Sequence, residues 1–200
     1  MMISSRLSSL RSALSDPKRW RRWTLEALIV IAIVAGITTW QNSGLASGVA
    51  PPLSGTRTDG STVKLGAEGA RSGGGPAVGG GEAPAGDAET ARLVVFWATW
   101  CKVCKANAGT IEAIAQDWPV ITVAMQSGER EEVAEFLEER GWKVPAIADD
   151  DSNIAEAWGV RAVPAHFVVD PAGHIRFRVV GYTTSWGLRA RLWWAQNIAN

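Results

Sequence analysis

The sequence predicts an α/β domain, a central mixed β-sheet with helices on both faces, preceded by one N-terminal transmembrane helix. Three observations carry this. From Glu89 onward, apolar strand-like runs alternate with helix-like segments and end in a hairpin and a last helix. The chain's two cysteines, Cys101 and Cys104, stand where the strand-like Arg92–Trp97 meets a helix-like segment. An apolar run over 27–40 (ALIVIAIVAGITTW) follows a basic leader.

Residues 1–22 hold six Lys or Arg against Asp16 alone, a net of +5 in a chain of net zero charge, so the basic character belongs to the N-terminus. No basic, aromatic-interleaved surface follows, which argues against nucleic-acid binding. Residues 1–23 read as a cytoplasmic basic segment and 24–41 as a membrane anchor. Asp16-Pro17 starts the helix, and Trp20, Trp23 and Trp40 serve as interfacial anchors. The uninterrupted apolar part is short against the roughly 20 residues a span needs. A cleaved signal peptide, with Gly48-Val49-Ala50 as its small-residue site, and a buried helix are the alternatives.

Residues 42–52 read as a tether, and 53–200 as the folded domain. Gly55–Leu65 forms a hairpin turning at Asp59-Gly60. Residues 66–86 contain nine glycines with Pro76 and Pro84, too little apolar surface to order, and read as a flexible insertion. Then come strand 92–97, helix 101–118, strand 120–125, helix 129–140 stopped by Gly141, strand 144–148, and helix 151–158 capped by Asp151 or Ser152 and stopped by Gly159. A hairpin of 165–169 and 174–180 turns at Asp170-Pro-Ala-Gly, and helix 185–199 closes the chain. Trp118, Trp142 and Trp158 read as core or rim. Trp193-Trp194 closes the core with one ring only, since neighbouring helical residues point about 100° apart.

Thiol–disulfide exchange needs an exposed thiolate and a second thiol in reach to resolve the mixed disulfide. Cysteines spaced i, i+3 in the first helical turn put both sulfurs on one face. Cys101, at the end where backbone N–H groups and the helix dipole favour a thiolate, is the nucleophile, with Lys102 adding a neighbouring cation. Cys104, one turn deeper, resolves. Two inert cysteines and a soft-metal site are the alternatives; two thiolates leave zinc or copper short of ligands unless His166 or a partner contributes. Pro164 opens a strand, where a proline is awkward outside an edge or a special turn.

Phe96-Trp97-Ala98-Thr99-Trp100-Cys101-x-x-Cys104 and Gly159-Val160-Arg161-Ala162-Val163-Pro164 resemble the two signatures of the thioredoxin superfamily. Phe167-Val168-Val169-Asp170-Pro171-x-Gly173-His174-Ile175 extends the resemblance to its membrane-tethered TlpA, ResA and cytochrome-c-maturation branch. Gly181-Tyr182-Thr183-Thr184-Ser185-Trp186-Gly187-Leu188-Arg189 looks most like the thioredoxin-like protein of bacterial copper-sensitivity-suppressor operons. The resemblance covers roughly residues 53–197 outside the Gly-rich insertion. It implies a thioredoxin fold in the periplasm, a cis bond before Pro164, Cys101 as nucleophile, and electron exchange with a DsbD-like membrane thiol reductant. Trp100, Val163 and Pro164 are then the substrate-contacting residues. No cofactor is expected beyond the redox-active Cys101–Cys104 pair, and no metal.

Three positions depart from those families, one of them Gly109, where the ResA-like branch often has Pro. Val95 stands where thioredoxin has a buried Asp, and Asn107 where the ResA-like branch has a Glu. Both familiar proton acceptors for Cys104 are missing. His166 is the candidate substitute, but side chains alternate along a strand, so if residue 165 faces the disulfide, His166 faces away. Lys102-Val103 between the cysteines lacks a proline found in many such pairs, which leaves the reduction potential open. The reading is a membrane-anchored periplasmic thiol–disulfide oxidoreductase that reduces disulfides of extracytoplasmic proteins, with Lys102, Val103, Asn107 and His166 as tuning residues. A copper-binding relay on the same thiols and a tethered interaction protein with idle cysteines are its rivals.

Overall fold

A computed structural model of the protein describes residues 17–42, 44–66 and 90–198. The expected flexible insertion lies, apart from Gly66, outside the described residues, as does most of the basic leader. The chain divides into two units, Met1–Ser43 and Gly44–Asn200.

The first unit contains α1 (Pro17–Asn42), which begins at the expected proline and outruns the expected 24–41 at both ends. Its apolar side chains Leu28, Ile29, Val30, Ile31 and Ile33 are all at least half exposed. Among the described residues, no helix is long and apolar enough to cross a membrane. The expected transmembrane span is to that extent not met. The reason is composition rather than length: Ala27–Ile37 is apolar over eleven residues, about 16 Å of helix against a hydrocarbon thickness of about 30 Å, with Glu26 on one side and Thr38, Thr39, Gln41 and Asn42 on the other.

The second unit runs β1 (Gly48–Val49), β2 (Leu53–Thr56), β3 (Thr62–Leu65), β4 (Arg92–Trp97), α2 (Lys102–Ala115), β5 (Val120–Met125), α3 (Arg130–Arg140), β6 (Ala146–Asp149), α4 (Asn153–Ala157), β7 (Ala165–Val169), β8 (His174–Val180) and α5 (Ser185–Asn197). A six-stranded sheet has the order β1-β8-β7-β4-β5-β6. Its β4, β5 and β6 are parallel, while β7 and β8 join antiparallel as the hairpin predicts. The mixed sheet and its flanking helices match the expected architecture.

β4 is central because both of its faces are apolar. Leu93 and Val95 pack with Val168, Leu188 and Leu192 on one side, and Val94 and Phe96 pack with Phe167 and Trp158 on the other. Rings of Phe96, Trp158 and Phe167 meet within 5.7 Å of one another, tilted or edge to face. Trp142 stacks against Trp97 and Phe136, and Trp194 against Phe177, while Trp193 is mostly exposed. The last helix closes the core through Leu188, Leu192 and Ala195, and of the expected pair only Trp194 reaches inward, as far as Phe177 at the rim.

Two segments read differently in three dimensions. The tether is not wholly a tether: Gly48 and Val49 pair with Ile175 and His174 at the sheet edge, and Leu45 and Ala50 are buried. An apolar residue every few positions among small polar ones carries no strand period, so this edge was not visible. Ser152 holds the N-cap position of α4, as expected, but its side chain makes no capping bond; Asp151 Oδ1 accepts the Asn153 N–H at 3.4 Å, and the buried Asp149 carboxylate, five and six residues upstream, accepts those of Ile154 and Ala155. Gly159 ends this turn at φ +67, and a Cβ there would sit 1.9 Å from the Gly44 carbonyl oxygen. Glycine is required at 159 for both reasons, and the chain leaves it directly toward Val163 and Pro164.

Candidate active site

Cys101 is the N-cap of α2. Its extended backbone (φ −82, ψ 109) lets Sγ accept the N–H of Cys104 at 3.0 Å, one of the donors a helix start leaves without a partner. The two sulfurs form a disulfide, and both residues are at least nine-tenths buried. Once the bond is reduced, that N–H and the helix dipole stabilise negative charge on Cys101 rather than on Cys104.

The Val163–Pro164 bond is cis, as the family resemblance implies. It brings the Val163 carbonyl oxygen to 3.7 Å from Cys101 Sγ. Trp100 is 59% exposed, yet its indole N–H is tied to the Gln126 carbonyl at 3.0 Å, so a large apolar ring is held beside the cysteine. Gln126 itself adopts φ 47. Next to it, Ser127 Oγ accepts the Thr99 N–H and donates to the Met125 carbonyl, fixing the turn before Cys101. Gln126 and Ser127 were not legible as site residues; the only cue is their place just past the C-terminal end of a parallel strand, where such sites gather. Lys102 and Val103 are exposed, and Lys105 sits with Nζ 5.5 Å from the Phe136 ring centre.

Val95, Cys104, Asn107, Thr122 and Pro164 line one cavity beneath the disulfide. The two substituted acid positions therefore share one cavity with the resolving Cys104. His166 is packed within its strand, and register decides which face it takes. Register pairs it with Val95, on the sheet face that α2 covers, while Ala165 packs on the opposite face with Phe96 and Phe167. His166 does not point away from the cysteine helix; it is 1% exposed and lies 2.9 Å from Asn107 Nδ2 through Nε2. Burial drives its pKa down from 6.5 to about 4, with the Val179 carbonyl opposing and the Arg191 charge adding. Its ring is neutral at pH 7. Among the described residues, no group of three or more His, Cys, Asp or Glu side chains is arranged to hold a metal ion.

The AhpC/TSA family model matches residues 80–178. The chain is 30% identical over 105 residues to a thioredoxin-like protein of Haemophilus influenzae, covering 52% of this chain and 62% of that one. It is 36% identical over 91 residues to a thiol:disulfide interchange protein DsbE homolog of Paracoccus denitrificans, covering 45% and 50%. The chain thus spans about half to three-fifths of the length of these curated relatives. A solved thioredoxin-family thiol:disulfide interchange protein from Chlorobium tepidum superposes with a TM-score of 0.54 at 18% identity, over 76% of this chain and 98% of that one; at that identity it speaks for the fold. Over residues 80–178, which hold the cysteine helix and the Val163–Pro164 turn, the chain is similar to the AhpC/TSA family, and its fold is thioredoxin-like.

Proposed function

We propose that the protein is a thiol–disulfide oxidoreductase that reduces disulfides of extracytoplasmic proteins. The observation that carries this reading is Cys101 Sγ at the helix N-terminus, bonded to Cys104 and facing the Val163 carbonyl. In the reducing direction, the Cys101 thiolate attacks one sulfur of a partner disulfide, forming a mixed disulfide and releasing the partner's other thiolate. Cys104 thiolate then attacks Cys101 Sγ and releases the first partner sulfur. Two electrons pass to the partner, and the Cys101–Cys104 disulfide forms. A DsbD-like membrane thiol reductant returns the pair to dithiol, and no other cofactor enters. The Val163 backbone aligns the incoming chain by strand-like hydrogen bonds, with Trp100 as an apolar wall. Lys102 and Val103 face the partner and tune the pair. The copper-sensitivity-suppressor resemblance of residues 181–189 makes proteins with cysteines oxidised under copper stress the substrates to try first.

With dithiothreitol as electron source, the full chain should precipitate insulin by reducing its interchain disulfides well above the uncatalysed rate. A rate equal to dithiothreitol alone would sink the reading.

Attachment to the inner membrane through α1 completes the proposal, with the N-terminus cytoplasmic and the domain periplasmic. Its support is the basic leader, the exposed apolar side chains and Trp23 at the basic end of the helix. The chain should stay in the membrane pellet after alkaline carbonate extraction, and alkaline phosphatase fused after Asn200 should be active. Release by carbonate, or a fusion active only as a cytoplasmic reporter, overturns the attachment or its orientation.

A further inference from the structure

Asn107 occupies the place of an acid, and its amide is engaged at both ends. The Val179 carbonyl, which only accepts, lies 3.3 Å from His166 Nδ1, so Nδ1 carries the ring proton and Nε2 is the acceptor. Asn107 Nδ2 therefore donates to Nε2 at 2.9 Å, which turns Oδ1 the other way, where it accepts the Thr183 N–H at 3.5 Å. On the far side of Tyr182, the Gly181 N–H donates to the Pro164 carbonyl at 2.8 Å. Tyr182 is thus held between two backbone bonds, one to the cis proline and one to the helix of Cys104, and its side chain is 59% exposed.

A polar pair at His166 and Asn107 is an expensive way to fill space, because an apolar residue, as at neighbouring Val95, needs no partner. We propose that His166 is a positioning residue: its Nε2 orients the Asn107 amide so that Oδ1 clamps the 181–184 segment, with Tyr182, onto the cysteine helix as one wall of the partner-docking surface. This rests on the redox reading above, since it is the docking of a partner chain that the clamp serves. An amide oxygen can accept a hydrogen bond but cannot take a proton, so the pair holds the loop and is not the base for Cys104.

The test uses the full chain and two substitutions at one position. His166→Leu removes the acceptor; His166→Gln replaces it with an amide oxygen. In His166→Leu, hydrogen exchange at the Thr183 amide should speed up about tenfold or more, and KM for a protein disulfide should rise about tenfold with kcat changed less than about threefold. His166→Gln should hold both within about threefold of wild type. If His166→Leu does not fold, Asn107→Leu removes the clamping oxygen itself from the helix side and should give the same pair of changes. Unchanged Thr183 exchange and KM in the Leu variants, a Gln variant as impaired as Leu, or a wild-type Thr183 amide as fast as a free one each overturns the clamp. Should the wild-type chain turn over no protein disulfide at all, the redox reading falls, while Thr183 exchange still decides the clamp.

Discussion

Cys104→Ser is expected to stop the exchange half-way, leaving Cys101 joined to its partner in a stable mixed disulfide, while Cys101→Ser abolishes exchange altogether. Exposure alone does not choose between the two sulfurs, since both residues are more than nine-tenths buried. Their surroundings do. Cys101 Sγ accepts a helix N-terminal N–H and faces the Val163 carbonyl oxygen. Cys104 lines the largely apolar cavity beneath, one helical turn in from the N-terminal N–H groups that favour a thiolate. A partner chain lying along Val163–Pro164 meets Cys101 first, and removing that nucleophile should lower the rate by about a thousandfold or more. The measurement is mass spectrometry of alkylation-quenched cell extracts and of purified chain incubated with a protein disulfide. Adducts should accumulate on Cys101 in Cys104→Ser. Equal adducts on Cys104 in Cys101→Ser would show that the roles have been assigned the wrong way, and adducts in neither variant would end the mechanism.

Much of this site could be read from the residues because its parts are local. A six-residue apolar strand followed by Cys-x-x-Cys puts a thiol at a helix start whatever the rest of the chain does, and the structure places Cys101 at that cap. Hairpin β7–β8 and strand β5 were equally local, set by Asp170-Pro-Ala-Gly and by a continuous apolar run. What failed was non-local. Alternation along 165–169 says which residues share a face, but only the pairing of β7 with β4 says which face lies under α2. Asp149 caps α4 from the preceding strand because a bend brings its carboxylate back over the helix start, an arrangement that nearest-neighbour capping rules do not anticipate. The short β1 pairing depends on β8, more than a hundred residues away in sequence. Positions 95 and 107 were identified as missing acids; that His166 and Thr183 absorb the hydrogen-bonding capacity of Asn107 needed coordinates.

The same histidine should make the domain acid-labile in a defined window. In the unfolded chain His166 titrates near 6.5, and in the fold burial lowers that to about 4. Below pH 6.5 the unfolded state therefore binds a proton that the folded state refuses, and stability falls as pH falls. The contribution is complete above about pH 6.5, declines through the interval down to about pH 4, and is flat below it. At about 1.4 kcal/mol per pH unit this amounts to about 3 kcal/mol, a large share of an ordinary domain's stability. Protonation puts a second N–H on the ring facing Asn107 Nδ2, so the amide must turn and release Thr183 or the pair must separate. Arg191 on α5 opposes the added charge as well. Urea unfolding of the oxidised chain from pH 7.5 to 4, compared with His166→Gln, isolates this proton from carboxylates that titrate lower. The wild-type stability should drop by about 3 kcal/mol more than that of the Gln variant, with most of the difference between pH 6.5 and 4. Parallel curves for the two proteins would mean that His166 is not buried neutral, and the hydrogen-bond assignment built on its neutral ring would have to be abandoned with it.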